Sequence, residues 1–167
     1  MLLGAFSLFL SNVIARKTFT IDNFEDWSYL ITILTVFFSF SALGTEQLLI
    51  RFGKAKEGKF EVPKTTLIVF ITGTLFFINL YAYFLNGLLF NFKLEYIEIV
   101  LLGSVVSLTQ FYYQVRRGSN QFSLGQLYYN AWRIILLSFV LIIGYLQLKL
   151  VNAVILSMLL SFGICFL

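Results

Sequence analysis

Between Ser28 and Ile50 the chain runs for twenty-three residues with one charged side chain, Glu46. A helix needs about 20 predominantly apolar residues to cross the hydrocarbon core of a bilayer, so this run is long enough to span. The pattern recurs from Leu2 to Ala15, Thr65 to Phe90, Tyr96 to Val115 and about Leu127 to Leu148. A sixth run starts near Val151 and reaches Leu167. Only 12% of the residues are charged and 59% are hydrophobic, whereas soluble domains carry about 25% charged residues. The expectation is an all-α, polytopic transmembrane bundle over residues 1–167, with about five complete helices and a truncated sixth.

The first run is short for a span and the last has no polar flank, which suggests a chain cut from something longer. The opening MLLGAFSLFL has no charged n-region and no small-x-small cleavage site after it. It reads as a retained helix, not a signal peptide. The chain has no histidine, which excludes histidine general bases and His-ligated metals. Its one cysteine, Cys165, sits in the last apolar run as a small packing residue and allows no intrachain disulfide. No cofactor or metal is expected. The net charge of +4 comes from basic residues in short loops between apolar runs, so nucleic acid is not an expected partner.

Those loops set an orientation through the positive-inside rule. Arg51, Lys54, Lys56, Lys59 and Lys64 fall in one loop, and Arg116 and Arg117 in another on the same side. Arg16, Lys17, Lys93 and Lys149 lie opposite. Seven against four places the N-terminus in the cytoplasm, with a multi-pass chain in the membrane. Pro63, the only proline, sits where the third helix begins, and there its missing N–H costs nothing. No proline interrupts an apolar run, so the sequence gives no support to broken-helix ion sites. No internal repeat is evident.

At 100° per residue the polar residues inside the runs fall into stripes. Ser28, Thr32, Thr35, Ser39, Ala42 and Glu46 share an arc of about 80° on the second helix. The third carries Thr65, Thr72, Asn79 and Asn86, and the fourth Gly103, Ser107, Gln110, Gln114 and Arg117. The first adds Asn12 and Arg16, and the fifth Gln126, Asn130 and Arg133. Small and hydroxylated residues let transmembrane helices pack closely, which accounts for Ser39, Ala42, Gly103 and Ser107. The larger polar groups favour a water-accessible central cavity instead. Glu46 closes its stripe, so it should face the bundle interior or the cytoplasmic mouth. Arg51 is either a snorkelling anchor or a phosphate or carboxylate contact at a cavity entrance. Arg133 lies deeper than an anchor needs. The candidate substrate-binding residues are therefore Arg16, Glu46, Arg51, Asn79, Gln110, Gln114 and Arg133.

The stretches LSNVIARKTFTIDNFEDWSYL, SALGTEQLLIRFGKAKEGK and FYYQVRRGSNQFSLGQLYYNAWRIILL carry a resemblance. In this order they show a first helix ending in Ala-Arg before a short polar loop, a second with Gly44 and terminal Arg51, and a basic loop between helices four and five. The chain resembles the N-terminal half of the polysaccharide (O-antigen type) flippases of the multidrug/oligosaccharidyl-lipid/polysaccharide exporter superfamily. One departure is Glu25 after Phe24, where that family usually has Gly. The resemblance implies a non-enzymatic transporter of two six-helix halves, working by alternating access. It would move undecaprenyl-pyrophosphate-linked oligosaccharide across the membrane for surface polysaccharide synthesis. It also implies that Arg16, Arg51 and Arg133 meet the pyrophosphate, and that membrane lipids and other polysaccharide-assembly membrane proteins are partners.

Three rivals stand beside it. An enzyme acting on polyprenyl phosphate would use Asp22, Glu25 and Asp26 of DNFED to hold a divalent cation. A non-transporting scaffold subunit would use the stripes as packing surfaces. A small-molecule antiporter of the same superfamily would need a deep coupling carboxylate, for which Glu46 is the candidate.

Overall fold

The computed structural model describes residues 2–56, 59–86, 88, 93–146 and 150–166. Within them the fold is all-α: seven helices and one short hairpin. The helices are α1 (Leu2–Thr18), α2 (Ile21–Phe40), α3 (Glu46–Phe52), α4 (Lys64–Leu80), α5 (Tyr96–Gly118), α6 (Phe122–Leu146) and α7 (Leu150–Phe166). Strands β1 (Lys54–Lys56) and β2 (Lys59–Glu61) pair antiparallel, Ala55 opposite Phe60. Two helical segments, Lys64–Leu85 and Tyr96–Gly118, are long and apolar enough to cross a membrane. Lys149, the ends of the third and fifth apolar runs at Phe90 and Leu148, and the side chain of Cys165 lie outside the described residues.

The chain divides into two compact units, Met1–Leu34 with Asn130–Leu167, and Thr35–Tyr129. In the first, Trp27, Leu30 and Leu34 of α2, Leu136 and Val140 of α6, and Val154 and Met158 of α7 are buried. The Trp27 indole donates to Asn12 Oδ1 at 2.7 Å and meets Phe19 edge-on, which joins α1 to α2. In the second, Phe37 contacts Phe77 and Tyr81 at ring separations of 5.3 and 4.7 Å, both T-shaped. Such edge-to-face pairs add about 0.5–1.5 kcal/mol beyond their burial.

The second apolar run is not one helix. It starts earlier than its hydrophobicity indicates, at Ile21, so the polar NFEDW is helical. It then breaks after Phe40, where Leu43 (φ 49°) and Gly44 (φ 77°) turn left-handed before α3 restarts at Glu46. Glycine takes that conformation freely, whereas leucine pays about 1–2 kcal/mol. Glu46 therefore does not continue the stripe of α2 but opens a new helix, and it is half-buried.

The other ends follow capping rules more closely. Pro63 precedes the first residue of α4 as expected. Glu95 and Glu98 form a reciprocal capping box at the start of α5, and Arg116 and Arg117 sit in its last turn, where the helix dipole favours cations. After Leu80 the third run widens into a π-turn over Tyr81–Leu85. Asn86 leaves the stripe as a result. Its amide donates to Leu94 O at 2.8 Å and accepts from Leu94 N at 3.1 Å.

Candidate functional site

A broken helix frees backbone groups that must find other partners when buried. Here α5 supplies them. The amide of Gln110 donates through Nε2 to the carbonyl of Phe38, and its Oε1 accepts from Ser41 Oγ at 3.0 Å. Gln110 is buried, and Ser41 is fully so. Thr45 Oγ1 donates to Ala42 O at 2.5 Å, and its backbone N–H does so at 2.8 Å. The break is thus held by three polar side chains on two sides. Helix α4 also comes close: a Cβ on Gly73 would stand 3.3 Å from Thr45 Oγ1 and 3.4 Å from Ala42 O.

The other predicted site residues have distinct fates. Gln114 is buried and accepts from Arg117 Nη1 at 3.4 Å. Asn79 is exposed, donating to Leu75 O at 2.8 Å and accepting from Tyr96 Oη at 3.5 Å. Arg51 is exposed, its guanidinium 5.8 Å from the Phe52 ring centre. These residues and Glu46 belong to the second unit. Arg16 and Arg133 belong to the first. Arg16 is exposed, while Arg133 is half-buried and donates to Asn130 Oδ1 at 3.2 Å. Asn130 itself lies where α1 passes at Gly4, whose missing side chain makes room for it.

The stripes divide in the same way. On α5, Gly103, Ser107, Gln110 and Gln114 are buried, so that face is a packing surface. On α2 the opposite holds. From residue 28 to 39 the only exposed residues are Ser28, Thr32, Thr35 and Ser39. Three of these hydroxyls return to their own helix, at Phe24 O, Ser28 O and Thr35 O.

The basic loops of the second unit meet at one end. Phe60 on β2 fits where Gly53 and Gly118 lack side chains, so a methyl at either glycine would collide with its ring. That clamp seats the lysine-bearing hairpin on the end of α5. There Arg116 donates to Gln121 Oε1 and, at 2.9 Å, to Tyr112 Oη, and lies over the rings of Tyr112 and Tyr128 at 5.1 and 5.7 Å. Arg117 lies 5.5 Å over Tyr113, whose hydroxyl accepts from Gln126 at 2.9 Å.

Asp22, Glu25 and Asp26 do not form a metal-binding group, and none is found among the described residues. Glu25 instead accepts from Tyr29 Oη at 2.5 Å. Sequence reasoning missed Ser41, Thr45 and Thr74 around the break, and Glu98, a buried carboxylate already used in capping. The Leu-Gly pair at 43–44 carried the only signal, and it was faint. No family model, curated protein or solved structure matches this chain.

Proposed function

We propose that the chain is the N-terminal half of a multi-pass bacterial membrane transporter that flips undecaprenyl-pyrophosphate-linked oligosaccharide by alternating access. The observation that carries this reading is the outer face of α2. A membrane helix whose exposed residues over three turns are all Ser and Thr is badly matched to lipid. It is well matched to a hydrated cavity or a polar partner half. Other helices expose residues that lipid accepts, including Ile68, Ile71, Leu75 and Phe76 on α4 and Leu156, Leu159 and Leu160 on α7, with Thr72, Asn79 and Asn152 exposed among them. The gathering of the hairpin lysines with Arg116 and Arg117 at one end of the second unit supports a cytoplasmic assignment for that end and hence for the N-terminus. In this reading Arg16, Arg51 and Arg133 meet the anionic headgroup, and no bond is made or broken.

The test has two readouts. Thr35→Cys and Ser39→Cys in otherwise cysteine-free protein should react with a membrane-impermeant maleimide, while Ile71→Cys should not. Proteoliposomes containing the protein should translocate a fluorescent undecaprenyl-pyrophosphate oligosaccharide. Unreactive cysteines from both sides would leave a dry packing face and favour a scaffold. Reactive cysteines without translocation would favour a small-molecule antiporter.

A further inference from the structure

Two hydroxyls in the second unit are buried with no hydrogen-bond partner among the described residues: Thr74 Oγ1 on α4 and Ser107 Oγ on α5. Their residues are 8% and 3% exposed. A buried hydroxyl left unpaired is costly, so a pair of them asks for an occupant.

Register places the two together. Ile78 packs on Gly103, where a Cβ would stand 2.6 Å from Ile78 Cγ1, and Phe70 stacks on Phe111 with ring centres 5.7 Å apart. The two contacts run in opposite chain directions, so α4 and α5 are antiparallel. One turn from Ile78 towards Phe70 is Thr74, and one turn from Gly103 towards Phe111 is Ser107. The hydroxyl-bearing residues are therefore opposite one another, midway between two observed contacts.

The helix break lies at the same level. Gly73, next to Thr74, approaches Thr45 Oγ1 and Ala42 O, and Gln110, one turn beyond Ser107, holds Ser41 and the Phe38 carbonyl. The polar atoms gathered there are hydroxyl oxygens of Ser41, Thr45, Thr74 and Ser107, the Ala42 and Phe38 carbonyls and the Gln110 amide. Apart from the amide nitrogen, which donates to the Phe38 carbonyl, all are oxygen. The last turn of α2 carries no basic residue, so the negative end of its dipole is uncompensated by side chains. The negative end of that dipole disfavours an anion, and a divalent ion would want carboxylates. Interrupted helices with freed carbonyls hold sodium in other membrane transporters.

We propose that the α2–α3 break, Thr74 and Ser107 form a binding site for one sodium ion. The site does not depend on what the chain carries, because its assay reads binding and not transport. Full-length protein in nanodiscs would be titrated with ²²Na⁺, beside Thr74→Val and Ser107→Ala, which keep shape and remove the hydroxyls. Wild type should bind saturably, about one ion per chain, displaced by unlabelled sodium but not by equal potassium or choline. Sodium should also raise its apparent melting temperature by about 3 °C. Each variant should lose at least tenfold in affinity while keeping its helical circular dichroism. Absence of saturable binding to wild type overturns the proposal, because the hydroxyls would then be bridged by water or be dry. Sodium binding unchanged in both variants overturns the location. If Thr74→Val fails to fold, Ser107→Ala decides that second point alone.

Discussion

Replacing Gln110 with Met tests whether α5 holds the break in α2. Met keeps the length of the side chain and removes two hydrogen bonds, one to the Phe38 carbonyl and one from Ser41 Oγ. Side-chain hydrogen bonds inside membrane proteins contribute about 0.6 kcal/mol on average and up to about 1.7. Two of them set the loss at about 1–3 kcal/mol. Ser41→Ala removes only the second bond and should cost about 0.6 kcal/mol. The double variant should then be no less stable than Gln110→Met, because the bond from Ser41 is already gone. Reversible unfolding in mixed micelles measures all four proteins, and the double-mutant cycle isolates the shared bond. If Ser41→Ala costs as much as Gln110→Met, or the two losses add, Gln110 is not the clamp.

Three further outcomes are expected. Gly118→Val should displace Phe60 from its slot and free the hairpin, so trypsin should cut within residues 54–64 several-fold faster while helix content is unchanged. Burial, then the charges of Glu25 and Asp22, holds the Asp26 carboxyl above its usual value of 3.8. A raised carboxyl stabilises the fold only while protonated, so this residue costs stability as pH rises through its folded pKa; Asp26→Asn should raise the melting temperature at neutral pH and have no effect below pH ~3.8. Arg51→Ala and Arg133→Ala should each reduce glycolipid translocation by about tenfold without loss of membrane insertion, with Lys restoring it only in part. Normal translocation by both alanine variants would remove the cationic groups from the mechanism.

The helices were legible because apolar runs bounded by charge are a strong signal, and Pro63 marked a start that the structure keeps. The faces were legible too, as periodicity. Their fates were not. The same spacing of small and polar residues is buried on α5 and exposed on α2, and only tertiary packing decides which. The start of α2 was missed because helix formation follows the backbone, not lipid, so NFEDW continues a helix that hydropathy ends. The break carries no proline, the residue that most plainly marks one. Leu43 in a left-handed conformation is a choice that local preference opposes, and it persists because Gln110, Thr45 and Gly73 fix the turn from outside.

The π-turn at Tyr81–Leu85 has a consequence for how this stretch can change. Its closing bond, from Asn86 N to Tyr81 O at 2.8 Å, encloses one residue more than an α-helical turn. The segment therefore holds a surplus residue that a single-codon deletion would remove without shortening the helix by a whole turn. The residues after it would keep about the orientation they have, because the wide turn already absorbs the roughly 100° that one more residue adds to an α-helix. Asn86 would stay on the Leu94 backbone. Deletions here should therefore be tolerated, whereas one residue lost from the regular part of α4 would rotate the helix by about 100° and shift Thr74 and Ile78 against α5.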